Sequence, residues 1–144
     1  MPAIARGLER SDREPGAFEI VPEVIVAMGD TADEQAAAAV GVRRLLSFYG
    51  STPAYRPVLE VEGWDALQPE LNALSKQGQW AAMADRIDDD MLVTLAVAGS
   101  PESCAHDVVE RFGAHAGRVC CYFPGYPVTE AQISAFVAAV RAAS

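Results

Sequence analysis

Only two segments of this chain read as buried β-strand, and about 90 residues of mostly helical pattern lie between them. Phe18 to Met28 is rich in Val and Ile without strict polar alternation, as in a strand covered on both faces. Pro22 confines firm pairing there to Val24 to Met28. Arg118 to Phe123 is the second strand, closed by Pro124-Gly125. Strands joined by helical crossovers run parallel, giving an α/β class, but a two-stranded parallel sheet cannot cover its own faces. The chain therefore reads as a portion of a larger sheet or barrel, or as one that recovers strands from a second chain; its open strand edges predict association.

The helices announce themselves by their starts. Thr31-Ala32-Asp33-Glu34 is a capping box opening a long helix, with Ala36 to Ala39 as good helix formers and Val42, Leu45, Leu46 and Tyr49 as its buried stripe. Gly50-Ser51-Thr52-Pro53 ends it. Shorter helical pieces follow: Trp64, Leu67, Leu71 and Leu74 share one face, and Trp80, Met83 and Ile87 another. Both tryptophans are expected in the core. Met91 to Ala98 suits strand or helix; Asp88, Asp89 and Asp90 before it favour helix, as acidic residues cap a helix start. Ser100-Pro101-Glu102 opens a further helix with Cys104, Val108 and Phe112 on one face. Thr129 to Gln132 is another capping box, before a terminal helix with Ile133, Phe136, Val137 and Val140 as its stripe. The first ten residues also read as helix, set off from the first strand by the polar breaker Ser11 to Gly16.

Composition narrows the partners. In 144 residues, 51% are hydrophobic and 22% charged, enough apolar mass for one core of 1–144 and too much for a disordered chain. A formal charge of −9 repels phosphate backbones and anionic lipid, so nucleic acid and membrane surfaces are excluded as partners. No stretch reaches the roughly 18 apolar residues of a membrane span, the opening residues lack a secretory pattern, and three cysteines build no disulfide framework. The expected location is cytoplasmic. No metal site is expected: His106 and His115 lack partners at ligand spacing, and consecutive aspartates diverge on a helix. Nor is there a nucleophile with a placed base near Ser100 or Cys104, or a glycine-rich phosphate loop; vicinal Cys120-Cys121 reads as small apolar filling before it reads as a redox pair.

The phrase Leu46-Ser47-Phe48-Tyr49-Gly50-Ser51-Thr52-Pro53-Ala54-Tyr55-Arg56-Pro57-Val58-Leu59, followed by Gly63-Trp64, resembles the luciferase-like monooxygenase superfamily in its branch that uses the deazaflavin coenzyme F420. Gln79 to Met83, Ile87 to Leu92 and Ala98 to Ser103 occur in the same order in that family's carboxy-terminal region, and Pro2 to Leu8 resembles the helix before its seventh barrel strand. The resemblance implies the carboxy-terminal portion of a (β/α)8 TIM-type barrel, with two parallel strands, several helices and the first six strands absent. Val21 to Met28 would be the seventh strand and Arg118 to Phe123 the eighth. It further implies an oxidoreductase whose full-length relatives move a hydride between F420, or alternatively flavin mononucleotide (FMN), and a small organic substrate. The alternative is a non-catalytic module or split-enzyme subunit that assembles with a partner chain; either way a homo-oligomer or a strand-supplying partner is expected.

No catalytic residue carries over, because the family's principal positions lie on the missing strands. In a barrel each strand ends at the catalytic face, which makes Gly29 and Tyr126 rim candidates for cofactor binding. Tyr49, Tyr55 and Arg56 join them, as the arginine can pair with a phosphate or carboxylate and the tyrosines can stack. Packing is the stronger account of Tyr49, which continues the buried helix stripe, and a surface ion pair explains Arg56 equally well. The segment Tyr49 to Ala98, returning after a descending helix, is expected to form a lid or wall.

Overall fold

A computed structural model describes residues 2–143 other than Asp12, Pro15 and Ala17. Met1 and two residues of the breaker segment, Asp12 and Pro15, thus lie outside the described residues. Helix α1 (Pro2–Glu9) precedes strand β1 (Glu23–Met28) and the long helix α2 (Ala32–Ser51). A 3-10 turn (Pro53–Tyr55) leads into α3 (Arg56–Val61), α4 (Leu67–Lys76), α5 (Trp80–Ala84) and α6 (Asp89–Leu95). Strand β2 (Val97–Gly99), helix α7 (Pro101–Phe112), strand β3 (Cys120–Tyr122) and helix α8 (Glu130–Ala143) complete the order. This mixed α/β arrangement around a small parallel sheet is consistent with a portion of a luciferase-like barrel.

Among the described residues the expected two strands are three. β1 lies in the centre, paired in parallel with β2 on one side (Val26 opposite Val97) and with β3 on the other (Glu23 opposite Cys120). The helix read over Met91 to Ala98 is correct for its first part only. Asp88 caps α6 by accepting from the Met91 amide at 2.8 Å, but the chain extends after Leu95 and Val97–Gly99 joins the sheet. A three-residue strand butted against a helix has no periodicity of its own to reveal it; β1 supplies the pairing. β1 and β3 are neighbours, as the seventh and eighth strands of the resembled barrel would be.

The expectation of uncovered sheet faces is corrected for β1, while Cys120 and Tyr122 of β3 stay exposed. Val24, Val26 and Met28 of β1 pack with Val97, Cys104, Val108 and Phe136, so α7 and α8 close one face. Ala27 packs with Ala38, Val42, Leu46, Leu71, Met83 and Leu92, so α2, with α4 to α6 alongside it, closes the other. The Tyr49 to Ala98 segment is therefore packing against α2 and not a lid over the strand ends. Of the two tryptophans expected in the core, Trp80 is 55% exposed and Trp64 half-buried. The reason is local: α5 has only five residues, and it buries Met83 and Ala84 on the side that meets α2. In the stripe of α8, Phe136 is buried while Ile133 and Val137 stay exposed.

Candidate functional site

In a parallel sheet whose strand order reverses, ligands bind beyond the carboxy ends of the strands, beside the reversal. Here that place is the end of β1 next to β3. Three helices, α2, α7 and α8, also begin at this end, so their free amide groups and positive dipole ends converge on it.

Each start is closed by its own side chains. At α2 the Glu34 amide donates to Thr31 Oγ1 at 3.3 Å, while the Glu34 carboxylate accepts from the amides of Asp30 (2.8 Å) and Thr31 (3.1 Å). At α7 the Ser103 amide donates to Ser100 Oγ at 3.2 Å. At α8 the Gln132 amide donates to Thr129 Oγ1 at 3.2 Å, and Gln132 Oε1 accepts from the Thr129 amide at 2.9 Å. Gln132 is itself buried, and its Nε2 donates to the Glu34 carboxylate at 3.3 Å, tying the α8 start to the α2 start. The three caps were legible in the sequence; the Gln132–Glu34 link between two of them was not.

Tyr126 sits within this convergence. Its hydroxyl donates to the Val26 carbonyl at 2.9 Å and accepts from the Met28 amide at 3.1 Å. The register explains why. Ile25 lies opposite Tyr122, so the next ladder position on β3 is residue 124, which is a proline and has no N–H to offer. One phenolic oxygen supplies both the donor and the acceptor that the missing peptide would have supplied. Burial pushes the hydroxyl pKa above its usual value, opposed by the bond from the Met28 amide. Gly29, the other rim candidate, is buried; its amide donates to the Gly99 carbonyl, its carbonyl accepts from Gln35 Nε2, and an added Cβ would lie 2.5 Å from Glu34 Cβ. Glycine is required there by the tight entry into α2.

Gly29 and Tyr126 are thus brought together. The other three candidates are not with them. α2 has 20 residues, roughly 30 Å of helix, and carries Tyr49 to its far end. There Tyr49 and Tyr55 stack with ring centroids 5.3 Å apart, and Arg56 pairs with Glu60 at 3.0 Å and Asp65 at 3.6 Å. Asp89, one of the acidic triplet, pairs with Arg43 of α2.

A three-ring deazaflavin or flavin requires a concave pocket of several hundred Å³. The described residues do not build one at the strand ends: the helix starts are capped internally, and neither Gly29 nor Tyr126 lines any of the best-formed cavities. These residues alone do not fit such a cofactor. The largest of those cavities is instead a groove of about 540 Å³ between β3 and α8.

Comparison with known proteins gives the chain relatives. The model of a family described as luciferase-like monooxygenase matches residues 1–117. The uncharacterized proteins Mb1395 of Mycobacterium bovis and MT1405 and Rv1360 of Mycobacterium tuberculosis are each 48% identical to it over 123 residues, 85% of this chain. The match covers 36% of each, so the chain spans about a third of the length of these relatives. No solved structure matches it. Among the described residues, no helix is long and apolar enough to cross a membrane.

Proposed function

The chain belongs to the luciferase-like monooxygenase family, and from that membership we propose that residues 1–144 are a single partial domain, the carboxy-terminal portion of an oxidoreductase. In its complete form the enzyme moves a hydride between F420, with FMN as the alternative, and a small organic substrate in the cytoplasm. The observation that carries this reading is the family match over 1–117, in the residue order quoted above. The capped helix starts around Gly29 and Tyr126 would form one wall of the cofactor site. The remaining walls belong to the strands that this chain lacks. A single wall cannot preorganise a reacting pair, so no turnover is expected from this chain alone.

The test is a fluorescence titration of F420 with the purified chain, with FMN as comparison. Saturable binding that favours F420 supports the reading and justifies an activity screen of the assembled form. A cooperatively folded chain that binds neither sinks autonomous cofactor binding and favours the second reading, a non-catalytic module that acts only by assembly. What favours that second reading now is the closure of both faces of β1 by this chain's own helices.

A further inference from the structure

The packing of the fold does not account for where Trp80 sits. α5 turns Met83 and Ala84 into α2 and leaves the indole more than half exposed, a large apolar surface to keep in water. Its surroundings are of one kind. Across the seam between α2 and α5, Trp80 and Ala81 face Arg44 and Ser47 around a cavity of about 460 Å³, a usual size for a small-molecule site. Phe48, 51% exposed, lies one helical turn beyond Arg44 on the same side of α2. Among the described residues, the Arg44 guanidinium enters no ion pair or hydrogen bond, and the Trp80 indole N–H meets no acceptor. The Ser47 hydroxyl is engaged, donating to the Arg44 carbonyl at 3.0 Å. No carboxylate lines this cavity, although the chain carries a net charge of −9. The next cavity along the seam, of about 280 Å³, is lined in part by Arg43, whose Nε is buried without a hydrogen-bond partner while its terminal nitrogen pairs with Asp89. A buried donor with no acceptor marks a place where a polar group is wanting.

We propose that the α2–α5 seam is a binding site for a small planar aromatic carboxylate, with its ring against Trp80 and Phe48 and its carboxylate on the Arg44 guanidinium. The ligand class follows from the lining. Unanswered N–H donors with no carboxylate beside them call for an anionic acceptor, and a guanidinium matches the two oxygens of a carboxylate with paired donors. Exposed indole and phenyl surfaces are best covered by a flat apolar ring, which stacks on them and has little conformational entropy to lose. A cationic ligand would meet Arg44 with like charge, and a purely aliphatic one would cover the guanidinium without giving it an acceptor. The site is distinct from the strand-end region, because Arg44 lies roughly 18 Å along α2 from its first residue, Ala32. It therefore stands or falls independently of the cofactor reading.

The experiment titrates the isotope-labelled 144-residue chain with naphthoate and follows the amide and indole N–H signals by NMR, the Trp80 indole being assigned with Trp80→Phe. Saturable one-to-one binding is expected, with shifts concentrated at the Trp80 indole and at the amides of Ser47, Phe48 and Ala81. Naphthamide, which has the same ring without the charge, should bind the natural chain about tenfold more weakly. Arg44→Gln, at an exposed position, should weaken naphthoate by about the same factor and bring the two probes to equal affinity. Trp64→Phe should leave naphthoate binding unchanged. The comparison of the two probes uses the unsubstituted chain, so it decides the matter even where a variant folds poorly. The proposal is overturned by a titration that does not saturate, by shifts centred away from the seam, by equal affinity of the natural chain for naphthoate and naphthamide, or by undiminished naphthoate binding in a folded Arg44→Gln. None of these outcomes depends on whether the chain binds F420 or FMN.

Discussion

Tyr126 and Cys104 show how much of this fold turns on single polar atoms. The Tyr126 hydroxyl completes a sheet ladder interrupted by Pro124, so Tyr126→Phe leaves the Val26 carbonyl and the Met28 amide without that partner. The expected cost is about 1–3 kcal/mol, read as a lowered urea midpoint with unchanged slope. Nothing in the sequence marked this role: the partners are 98 and 100 residues away, and only the register of β1 on β3 brings them together. Cys104 is fully buried under β1, and burial pushes its thiol up from the usual 9.0 to about 12, with Asp107 adding to the shift and Arg111 opposing it. The folded state therefore holds a proton that the unfolded chain releases. The stability this contributes is whole below pH 9 and is lost as pH rises from about 9 towards 12. Cys121, raised to about 11, acts in the same direction over a narrower window. Urea titrations from pH 8 to 11 should show falling stability in the natural chain and a shallower fall in Cys104→Ala; equal slopes would assign the alkaline loss to other groups.

Among the elements, those that begin with a chemical signal were legible and those that borrow their conformation were not. Thr31, Asp88 and Ser100 cap α2, α6 and α7 as their sequence contexts indicate. β2 was hidden because a strand of three residues exists only by virtue of its neighbour. Trp80 was misplaced because a short helix offers too few turns to define a buried side, and the candidate site was split because the length of α2 separates Tyr49 from Gly29. A further contact joins elements rather than residues. A Cβ on Gly41, midway along α2, would lie 2.8 Å from the backbone of Pro124 and Gly125, so the turn after β3 rests directly on the helix. Backbone cannot retreat as a flexible side chain can. Gly41→Val should cost about 1–3 kcal/mol by displacing that turn, and near-ultraviolet circular dichroism of the adjacent Tyr126 should change with it. A stable variant with an unaltered spectrum would mean that the turn is free to lift.

For the molecule as a whole, the sequence indicated the mixed α/β class but not how its strands are covered. A pattern of two strands suggests bare faces. The chain instead closes both faces of β1 with its own helices and leaves Cys120 and Tyr122 of β3 exposed. The convergence of three helix starts has a kinetic consequence at this scale. Glu34 sets a carboxylate at the α2 start while Ser100 and Thr129 each engage one amide at the other two, and an approaching anion meets the field of a chain with net charge −9. Added salt screens that repulsion, so stopped-flow association rates for an anionic ligand at this end should rise with ionic strength, the reverse of a site that draws its ligand in by attraction.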